Sequence, residues 1–200
     1  MQQHLAKALL SVALIFASLL VAPPVRSQSW VAVQVENFQG LPQEKSNWCW
    51  AASMQALFLT KGLQVEQSAI VTAAYGAPLN KTAPGFDGSL KLLNALVLSI
   101  DGTPWKIRAG AGGTYPAAPW LLKKLTANEP VMIWYRDQYT NHSIVINGGT
   151  YFTDGSGRFQ GWRTITAYDP YANRDLTISA ENIPKYVYGT FDVNVNRVKK

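Results

Sequence analysis

Cys49 is the only cysteine among 200 residues, and the only histidines are His4 and His142. A single thiol closes no intramolecular disulfide, and in an exported chain it is open to oxidation, so its presence asks for a reason. One reason is burial, because free cysteine packs well in an apolar core. The other is chemistry: a thiolate is a strong nucleophile once a neighbouring base holds its proton. His142 is the only imidazole in the body of the chain. It is either that base or a satisfied strand histidine. One Cys and one His do not hold zinc, since structural sites take four N/S ligands and catalytic sites three protein ligands. No metal or cofactor is expected.

Cys49 lies within Gln43-Glu44-Lys45-Ser46-Asn47-Trp48-Cys49-Trp50-Ala51-Ala52. Good helix formers from Asn47 to about Lys61, stopped by Gly62, predict a helix that opens at or next to Cys49, with Ser46 or Asn47 as its N-cap. A helix start presents free N–H groups and a partial positive charge, and both stabilise an anion such as a thiolate.

The remaining pattern predicts further helices over 65–75 (stopped by Gly76), 89–100 (broken by Asp101-Gly102) and 119–126. Stretches 77–88 and 109–113, rich in Gly, Pro or Ala, read as loops. Strands are expected over 30–35, 131–135, 143–147 (ending at Gly148-Gly149), 162–168 (closed by Asp169-Pro170) and 186–195, with a hairpin turn at Asp154–Gly157. Helices first and antiparallel strands second argue for an α+β fold. No repeat or linker divides the chain.

The N-terminus reads as a secretory signal. Lys7 precedes 14 uncharged residues from Ala8 to Val21, Pro23-Pro24 ends the run, and Val25-Arg26-Ser27 suits cleavage before Gln28. That run is shorter than the roughly 20 residues a membrane span needs, so an uncleaved anchor is the lesser alternative. Expected boundaries are 1–27 for the signal peptide and 28–200 for one domain, secreted to the periplasm or the cell exterior. Lys7 and Arg26 leave with the signal and take the net charge from +6 to +4. The remaining basic residues are scattered, which excludes a nucleic-acid stripe. A protein or peptide substrate is the expected partner, with no nucleic acid and no membrane insertion after cleavage.

The segment around Cys49 resembles the papain-like cysteine peptidases. Gln43 stands six residues before Cys49, aromatic Trp50 follows it, and Ala51-Ala52 come next. Asn141-His142-Ser143-Ile144-Val145-Ile146 fits the family's downstream histidine strand, and Tyr168-Asp169-Pro170 matches the Asp form of its third residue. This is similar to compact bacterial branches, which include leader peptidases of bacteriocin exporters and secreted effector proteases. The resemblance implies a helical N-terminal half packed on a C-terminal antiparallel sheet. It implies Cys49 as nucleophile, His142 as base, Asp169 as the residue orienting His142, and Gln43 as an oxyanion donor together with the Cys49 N–H. Trp50 would shield the site or pack beneath it, and is the candidate substrate contact.

The departures are an absent second cysteine before the nucleophile and little room for a propeptide. Each residue also has an ordinary reading: Gln43 as a loop amide, Asp169 as a turn starter before proline, Trp48 and Trp50 as core aromatics. Asn141 and Asn147 are rivals of Asp169, though too near His142 in sequence to match the family order. Other motifs fail: Gly155-Ser156-Gly157 is no nucleophile elbow, Gly110–Gly113 lacks a following Lys, and Asp154–Gly157 is no calcium loop. Two glycosylation triplets, at Asn80 and Asn141, carry weight only in a eukaryote. The expected activity is a cysteine peptidase acting through an acyl-enzyme. The same thiolate could instead serve an acyltransferase or deamidase, or the scaffold could be an inactive secreted binding protein.

Overall fold

The structure, a computed structural model, describes residues 28–100, 103–112, 115–136 and 141–197. The expected signal segment 1–27 lies outside the described residues. The elements in chain order are β1 (Ser29–Gln34), α1 (Cys49–Thr60), α2 (Gln67–Tyr75), α3 (Gly85–Ala95), β2 (Val97–Ile100), β3 (Thr103–Gly112), α4 (Ala118–Thr126), β4 (Val131–Arg136), β5 (Asn141–Thr153), β6 (Phe159–Asp169), β7 (Arg174–Ser179), α5 (Ile183–Tyr186) and β8 (Val187–Arg197). The strands form one antiparallel sheet in the order β2-β3-β8-β4-β5-β6-β7. β4 pairs with the first half of β5, and β1 pairs with its second half along Gly148 to Thr153. The expected α+β architecture holds.

Both faces of the sheet are covered, and β4 shows why. Its side chains alternate between two cores: Met132 and Trp134 pack with α1, α2 and α3, whereas Val131 and Ile133 pack with α4 and α5. A strand buried on both sides reads as an unbroken apolar run, which is how Val131 to Tyr135 looks in the sequence. α1 is buried from Trp50 to Phe58. It is apolar nearly all round, as a helix enclosed between a sheet and other helices must be. Burying Met54, Leu57 and Phe58 contributes about 1.5–3 kcal/mol each, and this anchors the helix whose first residue is Cys49.

Four local expectations are corrected. The helix expected to reach Ile100 ends at Ala95, and Val97–Ile100 is a strand paired with β3, Ile100 opposite Thr103. Leucines at helical spacing continue into a β-branched run, and the pairing partner decided its conformation. Asp101-Gly102 lies outside the described residues, between two strands rather than after a helix. The loop expected to run to Gly88 ends at Pro84, because Gly85, at φ +81°, opens α3. Ala109–Gly112, expected as loop, is the end of β3 paired with β8; Gly113 lies outside the described residues.

β5 does not stop at Gly148-Gly149 but runs on to Thr153. A Cβ on Gly148 would meet the Gln34 side chain and the Val33 carbonyl, and one on Gly149 would meet the Thr164 carbonyl and Trp162. These glycines let β1 and β6 approach β5 from either side. β7, which the sequence pattern did not announce, extends the sheet beyond β6.

Candidate active site

Cys49 is the first residue of α1, with Trp48 as the N-cap. Neither Ser46 nor Asn47 caps the helix, contrary to expectation, and no side chain does. Their polar groups are engaged elsewhere. Asn80 Nδ2 donates to Ser46 Oγ at 3.0 Å, Asn47 N–H donates to Asn80 Oδ1 at 3.1 Å, and Asn47 Nδ2 donates to the Asn80 carbonyl at 3.1 Å. The indoles of Trp48 and Trp50 donate to the carbonyls of Leu79 and Lys81. The loop 78–81 thus holds the segment before the nucleophile. The first N–H groups of α1 are left uncapped, directed where an anion would sit.

A second brace comes from Gln67, buried at the start of α2. Its Nε2 donates to the Pro42 carbonyl and to Gln55 Oε1, both at 2.9 Å, and its Oε1 accepts the Glu44 N–H at 3.0 Å. The residues on either side of Gln43 are therefore tied to the two helices. On the other flank, Gln43 N–H donates to the Pro170 carbonyl at 2.9 Å. Gly40 lies so close to the Tyr168 ring that a Cβ there would come within 2.4 Å of it.

The base side is built by strand pairing. Val145 lies opposite Tyr168 across β5 and β6, and Tyr135 lies opposite His142 across β4 and β5. That register sets His142 at the start of β5 and Asp169 at the end of β6, diagonal neighbours at one end of the sheet. His142 Nε2 lies 2.6 Å from Asp169 Oδ1. The same oxygen accepts the N–H groups of Tyr171 at 2.8 Å and Ala172 at 3.2 Å. Asp169 is thus a turn starter and the partner of the imidazole at once, and the two readings of it do not compete. Its rivals are bound elsewhere: Asn147 donates to Asp175 Oδ1, and Asn141 accepts from Arg136 Nε.

With Nε2 on Asp169, the other ring nitrogen is the one available to Cys49. Burial pulls the imidazole pKa down, but hydrogen bonds to Asp169 and to Cys49, with the charges of both, outweigh it and raise the pKa from 6.5 to about 9. His142 is therefore an imidazolium at neutral pH, and its Nε2–H donates to Asp169. Burial pushes the Asp169 pKa up, yet the His142 bond and charge and the two backbone N–H groups hold it below the ordinary carboxylate value.

These groups share one cleft of about 660 Å³, lined among others by Gln43, Cys49, Trp50, His142, Asp169 and Tyr171. All five site residues expected from the sequence, Gln43, Cys49, Trp50, His142 and Asp169, line it. Two expectations need adjustment. Gln43 lines the cleft, but its Nε2 already donates to the carbonyls of Lys45 and Ser46, both at 2.9 Å, while its buried Oε1 has no protein partner. Trp50 also lines the cleft, but it is 1% exposed and belongs to the core cluster, so it packs beneath the site. The exposed aromatic at the mouth is Tyr171, 76% exposed.

No family model and no curated protein sequence matches this chain. Among solved structures, the chain is similar to the peptidase domain of Streptococcus ComA, a bi-functional ABC transporter involved in a quorum sensing pathway. The identity is 12% and the TM-score 0.49, over 79% of this chain and 97% of that domain.

Residues that sequence reasoning did not single out also line the cleft: Arg136 and Trp134 on β4, Ser143 on β5 and Tyr188 on β8. Arg136 lies over the Tyr188 ring, 4.7 Å from its centre. Nothing short of the pairing of β4 with β5 and β8 could have brought them beside Cys49.

Proposed function

We propose that this protein is a secreted cysteine peptidase that hydrolyses peptide bonds through an acyl-enzyme. The supporting observation is that the only thiol, at an uncapped helix start, shares a cleft with a His142 imidazole that is itself tied to Asp169 at 2.6 Å. The Cys49 sulfur attacks the scissile carbonyl carbon. The oxyanion so formed collapses, the C–N bond breaks, and the His142 imidazolium gives its proton to the leaving amine. Water then attacks the thioester carbon, His142 takes the water proton, and the C–S bond breaks to release the acid and restore the thiolate–imidazolium pair. Asp169 keeps the ring oriented throughout.

The Cys49 N–H is the first oxyanion donor in this scheme. Gln43 is the second, and it must release the Lys45 or the Ser46 carbonyl to act. A fixed donor of this kind typically contributes about 2.7–4 kcal/mol to the transition state. One that must first break a bond contributes less. Secretion follows from the N-terminal segment, with a protein or peptide as substrate.

Labelling tests the central point. Cys49 in the folded protein should react with iodoacetamide at pH 6 faster than in denaturant, and E-64 should block it. Slower labelling in the folded protein would count against an activated thiol and remove the basis for the enzymatic reading.

A further inference from the structure

Resting on that peptidase reading, we propose that the wall of the cleft formed by β4 and β5 binds a carboxylate of the substrate, with Arg136 as the residue that receives it. Arg136 ends β4 and lines the cleft together with Cys49. Its guanidinium is held on two sides. Nε donates to Asn141 Oδ1 at 2.6 Å, and the plane lies over the Tyr188 ring, 4.7 Å from its centre. An arginine braced in this way keeps a planar guanidinium in the cleft, the group that takes a carboxylate by paired hydrogen bonds.

No carboxylate among the described residues forms an ion pair with Arg136. Among the described residues, the one carboxylate lining the cleft is Asp169, whose Oδ1 is already shared among His142 and two backbone N–H groups. The same wall carries two further polar atoms without a protein partner, Trp134 Nε1 and Ser143 Oγ. These residues are 7% and 2% exposed and face each other across β4 and β5, two positions along from the Arg136–Asn141 pair. A neutral amide in the cleft would leave the Arg136 cation uncompensated, whereas a carboxylate would answer it. The carboxylate could belong to an Asp or Glu side chain beside the scissile bond or to the C-terminus of a short peptide.

Two measurements on the full chain test this. The first compares alkylation of Cys49 by iodoacetate and by iodoacetamide, which differ in a carboxylate for an amide. Arg136→Gln should lower the iodoacetate-to-iodoacetamide rate ratio about tenfold at low salt, and Arg136→Lys should keep part of it, since lysine retains the charge without the fork. The His142 charge acts in all three proteins, so the change reports Arg136, and matched thermal melts exclude misfolding. An unchanged ratio would overturn the proposal.

The second measurement compares cleavage of peptides paired as Glu against Gln at each position near the bond, and as free acid against amide at the C-terminus. A preference within the first set, lost in Arg136→Gln, identifies a side-chain carboxylate. A preference within the second identifies a terminal one. Cleavage with no preference in either set sinks the carboxylate site and leaves the peptidase reading intact. If no peptide is cleaved but the alkylation ratio still depends on Arg136, the peptidase reading falls and the anion site stands.

Discussion

The segment before Cys49 is held by side-chain amides reaching across from another loop and from α2, whereas His142 and Asp169 are held by the register of two paired strands. The first arrangement is a set of individually modest bonds. A typical one contributes about 0.5–1.5 kcal/mol net, and those made by Asn80 are exposed. The second is part of a cooperative ladder that cannot slip by one residue without turning the buried faces of β5 and β6 outward. The contrast implies that the base is the fixed partner and that the nucleophile loop is the part able to adjust. Gln43 belongs to that adjustable part, which fits its need to exchange a carbonyl for an oxyanion.

The largest expected effect treats the two sides as one unit. Cys49→Ala and His142→Ala should each reduce peptide turnover by about 10⁵–10⁶, and the double variant should fall no further, because each removes the same reacting pair. Their thermal midpoints should stay near that of the parent. Turnover above a thousandth of normal in His142→Ala would show that the imidazole is not the working base.

Asp169→Asn breaks the base side alone. We expect the rate to drop by up to about 10⁴-fold through loss of ring orientation, and the His142 titration to move down from about 9. The sign follows from linkage. A His pKa raised above its unfolded value stabilises the fold fully below about pH 6.5, and that contribution is lost as pH rises through about 9. The basic limb of the activity profile lies in the same range, since the leaving amine needs the imidazolium. His142 is the only histidine of the chain after His4, so its ring protons can be followed by NMR without overlap once residues 1–27 are gone. A titration unmoved in Asp169→Asn would refute the role given to Asp169.

Gln43→Ala should cost roughly tenfold in kcat/KM, less than the loss of a donor that is free in the resting enzyme. A 1000-fold loss would mean that Gln43 is preorganised and that its bonds to Lys45 and Ser46 are not the resting state.

The smallest effect belongs to Asn80→Ala, which removes two side-chain bonds to Ser46 and Asn47. It should destabilise by about 1 kcal/mol and lower kcat a few-fold while leaving the His142 titration where it is. If Asn80→Ala shifts that titration as far as Asp169→Asn does, the two sides are not separately held, and the contrast drawn above dissolves.

Local chemistry wrote much of this protein openly. The lone Cys49 before a run of helix formers, the lone downstream His142 at the start of a buried-strand run, the turn-making Asp169-Pro170 and the apolar run of β4 are all legible because each depends on neighbours within a few residues. The conformations of 97–100 and 109–112 were not legible. Their residues carry weak or misleading propensity, and the decision came from the pairing partner: β3 for 97–100, and β8, about 80 residues away, for 109–112.

The same holds for the cleft. Sequence order named Cys49, His142 and Asp169, but only the pairing of β4, β5 and β6 brings base and carboxylate to one end of the sheet, where α1 begins. Only that pairing sets Arg136, Trp134 and Ser143 beside them. Residue types fix which reactions a chain is able to perform, while distances between residues far apart in sequence are set by register and packing, and those exist only in the folded state.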